Sequence, residues 1–139
     1  MATPAKFYCF TEDVAEQKHN LATDQLKLML TNVAPIATNT VFADITDIAA
    51  GNGYTAGGEV VTVSSSSGAL GVYKLVLADV TWTCVTAPMA TFRYLVLYNN
   101  THATKPLIYW VDRGSAVTLA VPDTFLADYD AGLGAITLT

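Results

Sequence analysis

From Glu59 onward the chain is a succession of short apolar runs separated by turn residues, and this pattern limits the fold more than any other feature. Val72–Ala78 (VYKLVLA) alternates, with Tyr73, Leu75 and Leu77 on one face and Lys74 and Val76 on the other. A period of two marks a strand with one buried face. Val80–Thr86 (VTWTCVT) places Val80, Trp82 and Cys84 inward and Thr81 and Thr83 outward, and Pro88 ends it. Phe92–Tyr98 (FRYLVLY) is apolar on both faces, which suits a central strand covered on both sides. Glu59–Ser64, Leu107–Asp112, Ala116–Val121, Thr124–Asp128 and Ala135–Leu138 complete the run. SSSGALG reads as a flexible turn, and Asn99 to Pro106 as another.

The first half adds two strands, Lys6–Phe10 (KFYCF) and Gln25–Thr31 (QLKLMLT). It also holds one short helix in TEDVAEQKHN. There Thr11 can cap, Glu12 and Asp13 occupy the first turn, Lys18 and His19 lie near the end, and Asn20 can stop it. The expected fold is therefore all-β: a single β-sandwich, jelly-roll-like, of nine or ten short strands with one short helix near the N-terminus. No internal repeat favours a propeller or solenoid, and no alternation of strands with long helices favours a doubly wound sheet. The length of 139 residues suits one domain, 1–139, large enough to stand without a disulfide or metal staple.

The exception to this regularity is a long connection at 31–58. Pro35 bars a central strand, Val41–Ala49 can hold a short strand or a single helical turn, and Gly51, Gly53, Gly57 and Gly58 permit unusual backbone shapes. No charged residue lies between Lys27 and Asp44. A connection this long in a compact domain is usually functional. Charge is sparse throughout, at 14% of residues against about 25% in typical domains. Threonine largely takes its place. A weakly charged surface resists burial against a partner less than a charged one does, which favours an assembled subunit.

Net charge is −5, and the seven Lys and Arg are scattered, so nothing resembles a nucleic-acid-binding stripe. No apolar run is long enough to span a bilayer, and MATPAKFYCF lacks the pattern of a signal peptide. Cys9 and Cys84 fall in expected strands and read as reduced core residues.

Catalytic and metal-binding patterns are weak. The segment GNGYTAGG (51–58) opens no helix and lacks a following Lys-Ser/Thr, so it is no phosphate loop. His19 reads as a helix-end cation or solvated group and His102 as a loop-tip residue; neither has a second ligand at metal spacing. Asp44/Asp47 and Asp128/Asp130 could serve glycoside hydrolysis only if they faced each other across a cleft, and they read more simply as turn or cap residues. Ser115 has no evident His partner. No cofactor, metal or catalytic residue is assigned, and the chain reads as a non-enzyme. Tyr109 and Trp110 should point to opposite faces, so one of them should look outward. Such an aromatic suits an interface or a sugar.

The run HNLATDQLKLMLTNVAPIATNTVFADITDIAAGNGYTAGG resembles a sequence type recurring in tailed-bacteriophage virion genes, with residues 39–58 its most specific part. FRYLVLYNNT, KPLIYWVDRGS and DTFLADYDAGLGAITL fit the same type, whereas Cys9, Cys84 and the SSSSGALG turn depart from it. The resemblance implies a virion structural protein of the capsid decoration (cement) kind, made in the host bacterial cytoplasm and placed on the capsid surface. Its implied partners are the major capsid protein and copies of itself, as a homo-oligomer. The alternative is a tail- or fibre-associated receptor- or carbohydrate-binding module. The expected protein-interface residues are Val33, Pro35, Ile36, Asn39, Val41, Phe42 and Tyr54 of the connection, with Trp110. Deleting Val33–Thr40 is expected to leave a folded domain that fails to assemble.

Overall fold

The computed structural model describes residues 2–139. In chain order its elements are β1 (Ala5–Lys6), α1 (Cys9–Ala15), β2 (Leu26–Thr31), a 3₁₀ turn (Phe42–Asp44), β3 (Glu59–Val61), β4 (Val63–Ala69), β5 (Val72–Leu77) and β6 (Val80–Thr83). They continue with β7 (Phe92–Asn99), β8 (Leu107–Val117), β9 (Thr124–Ala127) and β10 (Ile136–Leu138). The fold is all-β with a short helix. A five-stranded sheet runs β1-β8-β7-β2-β3, a three-stranded sheet β10-β5-β4, and a two-stranded sheet β6-β9, with every pairing antiparallel. The layers are thus five strands against three plus two, less even than the eight strands of a regular jelly roll.

The main core lies between these layers, as the alternating patterns require. Leu26, Leu28 and Leu30 of β2 and Leu95 and Leu97 of β7 meet Leu75 and Leu77 of β5 and Trp82 of β6. Cys84 is buried just beyond β6, and Phe125 packs edge-on against Phe92 with ring centroids 5.0 Å apart. β7 sits between β2 and β8 and is buried on both faces, as its sequence implies.

Three local readings need correction. The expected first strand at Lys6–Phe10 shrinks to Ala5–Lys6, and the helix begins at Cys9 and ends at Ala15. The early turn into helix lets two aromatics reach different cores: Phe7 enters the outer face of the large sheet, while Phe10 joins the main core. Gln17, at φ 64°, ends the helix before the run of residues expected to extend it. The serine run is no loop but most of β4, paired to β5 through Ser65↔Val76, Ser66↔Leu75 and Ser67↔Lys74. Only Leu70 and Gly71 form the hairpin turn, both at positive φ. Finally, β8 extends to Val117, in place of a separate strand over Ala116–Val121.

A second hydrophobic cluster covers the opposite face of the five-stranded sheet. Met29, Val96, Tyr98 and Leu107 supply its floor. Phe7 from the N-terminal segment and Ile45 from the long connection close it, with Cys9, Phe42 and Trp110 at its margin. The long connection is therefore a cover, not a free arm.

Candidate functional site

Backbone hydrogen bonds tie the connection down along its length. Ala37 O accepts from Tyr8 N at 2.9 Å, Thr40 O from Leu107 N at 3.0 Å, and Lys105 O from Phe42 N at 2.9 Å. Ile36 and Asn39 close a small turn, with Asn39 Oδ1 accepting from Ile36 N at 2.9 Å. The Asp44 carboxylate accepts from Thr40 N and Val41 N, and these bonds hold its pKa below the usual carboxylate range. Asp44 is a capping residue of the 3₁₀ turn, as the sequence suggests.

The glycine-rich segment serves the interior. Gly51 and Tyr54 exchange both backbone hydrogen bonds, closing a tight turn with Asn52 at φ 57° and Gly53 at φ 105°. This turn drives Tyr54 into the core, where its side chain is 3% exposed. The Tyr54 hydroxyl donates to Asp47 and accepts from Leu30 N at 3.2 Å. The other Asp47 oxygen accepts from Gly57 N at 2.7 Å, and Gly57 O accepts from the Tyr98 hydroxyl at 2.7 Å. Burial, reinforced by the bond to Asp47, pushes the Tyr54 hydroxyl well above its ordinary pKa; burial raises Tyr98 to about 12. Gly58 passes so close to β2 that a Cβ would lie 2.0 Å from Leu28 O. The most specific part of the sequence motif is thus a pin that fastens the connection to the sheet.

The expected interface residues divide accordingly. Tyr54 and Pro35 are buried within the chain and present no contact surface. Asn39, Val41, Phe42 and Trp110 are half-buried. Phe42 packs on Tyr98 with centroids 4.9 Å apart, and Lys105 Nζ lies 5.1 Å above its ring. Val33 and Ile36 remain outward, at 56% and 59% exposed. Tyr8, which the sequence reading left inside a strand, joins them at 69% exposed, held beside the Ile36 turn by its bond to Ala37. The alternation of KFYCF carried that signal, since Phe7 and Cys9 fall on one side and Tyr8 on the other. Three large apolar side chains thus point outward, on and beside a connection whose backbone is tied to the sheet.

Tyr109 and Trp110 do face opposite ways. Tyr109 lies in the main core and donates its hydroxyl to Tyr129 at 3.1 Å, while Trp110 lies on the outer face against Phe7. Tyr109 and Tyr129 form the base of a hollow of about 280 Å³ rimmed by Pro4, Asp128, Asp130 and Leu133. Asp130 Oδ1 accepts from Gly132 N and Leu133 N, a local turn. Among the described residues, no three His, Cys, Asp or Glu side chains gather as a metal site.

His19 is buried, contrary to its reading as a helix-end cation or solvated group. Its Nδ1 lies 3.1 Å from the Asn99 amide nitrogen, which also donates to Asp24 at 2.6 Å, and its ring packs on Phe10 at 5.3 Å. Burial lowers its pKa, and Nε2 has no hydrogen-bond partner among the described residues. Cys9 and Cys84 are both free thiols.

No family model, curated protein or solved structure matches this chain.

Proposed function

We propose that this protein is a structural component of a tailed-phage particle, a decoration protein that binds the capsid lattice and stabilises it by bridging neighbouring subunits. The observation that carries the reading is the outward set of three large apolar side chains, Tyr8, Val33 and Ile36. Val33 and Ile36 are held outward by a connection whose backbone is already tied to the sheet, and Tyr8 stands beside them through its bond to Ala37 O. A preorganised surface loses little conformational entropy on docking. Repetition over a lattice multiplies a modest contact through avidity. The likeness of residues 19–58 and the later segments to phage virion sequences supplies the setting.

The partners in this reading are the major capsid protein and further copies of this chain. A tail- or fibre-associated carbohydrate-binding role has less support, because Tyr109 is buried and Trp110 is half-buried in a tilted contact with Phe7. Quantitative mass spectrometry of purified particles tests the proposal. Hundreds of copies per particle are expected; a handful would point to the tail or a vertex and overturn it.

A further inference from the structure

Among the described residues β4 is the longest edge strand, and neither charge, proline nor brevity blunts it. An unpaired edge invites another strand, and proteins commonly blunt it with charge, proline or brevity. Edge strand β1 has two residues, one of them Lys6; β3 has three, including Glu59; β10 has three, and β6 and β9, the two strands of the smallest sheet, have four each. β4 has seven, Val-Ser-Ser-Ser-Ser-Gly-Ala, with neither a charged residue nor a proline. One side pairs with β5, and among the described residues no strand pairs with the other. The bulge between Val63 and Ser65 lies at its root, so Ser65–Ala69 runs in regular register. Ser64, Ser65, Ser67, Gly68 and Ala69 are exposed, and at the hairpin tip Leu70 is fully exposed.

The geometry points to β4 as a self-association edge, taking the β4 of a second copy in antiparallel pairing across a two-fold axis. The occupant follows from charge. With a net charge of −5, two copies repel wherever their acidic residues meet. Along β4 there is no charge to oppose itself, and Lys74 on neighbouring β5 is directed to Gly132 O at 3.2 Å. Antiparallel pairing of identical strands is isologous, so it closes at two copies and consumes both open edges. Serine and glycine side chains allow the close approach, and serines facing one another across the axis can hydrogen-bond. The product is a continuous six-stranded sheet, with each Leu70 carried toward the root of the partner's β4. This goes beyond the particle role and does not depend on it.

The test is sedimentation of the full-length chain over a wide concentration range, as wild type, Ser65→Lys, Ser65→Glu and an equimolar mixture of the two variants. In a pairing centred on Ser66, the middle of β4, Ser65 faces Ser67 of the other copy and lies diagonal to its own mate on the same face, about 7–8 Å away and within reach of long side chains. Wild type should form dimers. Each variant alone should associate more than about tenfold more weakly, because like charges then lie diagonally across the axis, and the mixture should recover dimers. Thermal melting of each variant confirms that the monomer fold persists. A wild-type chain that stays monomeric, or a Ser65→Lys chain that dimerises as tightly as wild type, overturns the inference. So does a monomer whose β4 takes up only extended segments of other proteins. None of these outcomes bears on copy number in the particle.

Discussion

The ring of Phe7 lies 4.6 Å from that of Trp110, tilted by 47°, and the contact seals the outer hydrophobic cluster of the large sheet. Phe7 is fully buried, so Phe7→Ala removes a large side chain from a closed site. The expected cost is about 3–5 kcal/mol. Denaturant unfolding measures it, and the fluorescence of Trp110 should shift to the red as the indole gains water.

The contrast between two glycines tests the role of the glycine segment. Both Gly58 and Gly71 have positive φ, but only Gly58 meets a neighbouring strand. Gly71→Ala at the open hairpin turn should cost about 1–2 kcal/mol from backbone strain alone. Gly58→Ala adds a collision with Leu28 O and should cost about 3 kcal/mol or more. Equal losses in the two variants would contradict the pinning role of the motif.

Acid should weaken the fold through His19. Its folded pKa is lowered by burial, so the unfolded chain takes up a proton first as the pH falls. Stability from the neutral ring is fully present above the unfolded value of about 6.5 and declines below it. Protonation would also set an Nδ1–H against the Asn99 amide. Melting temperatures between neutral and mildly acidic pH should fall in the wild type and fall less in His19→Gln.

Much of the fold is written in local pattern. The alternations at Val72–Leu77 and Val80–Thr83, and the doubly apolar β7, need only a period of two and a core to face. What escaped was decided by partners distant in sequence. The serine run is a strand because β5 pairs with it, although its composition favours a turn. The connection looks like a projecting arm until Phe42 and Ile45 are seen to cover Met29, Val96 and Tyr98. The same fact revises the expected effect of deleting Val33–Thr40. That change removes the carbonyls of Ala37 and Thr40, which hold Tyr8 and Leu107, and it should destabilise the domain. His19 escaped for a similar reason, since only Asn99 and Phe10 make its burial visible.

Cys9 should be a slow nucleophile. Burial, with Asp13 nearby, pushes its pKa up to about 11. At pH 8 its thiolate fraction, and so its alkylation rate, should be on the order of a hundredfold below that of an ordinary thiol. The rate of iodoacetamide labelling, followed by mass spectrometry, should climb steadily toward pH 11.

Because the deletion confounds folding with contact, point variants are the cleaner probe of the surface. Ile36→Asp and Tyr8→Ala change outward side chains and should alter stability by no more than about 0.5 kcal/mol. Each should nonetheless reduce incorporation into particles.

Cryo-microscopy of the assembled particle tests the decoration role most directly. The expected result is density for this domain at regular capsid positions, with Tyr8, Val33 and Ile36 against a neighbouring subunit. Density confined to the tail, or a lattice-bound domain with those three side chains facing solvent, would contradict it.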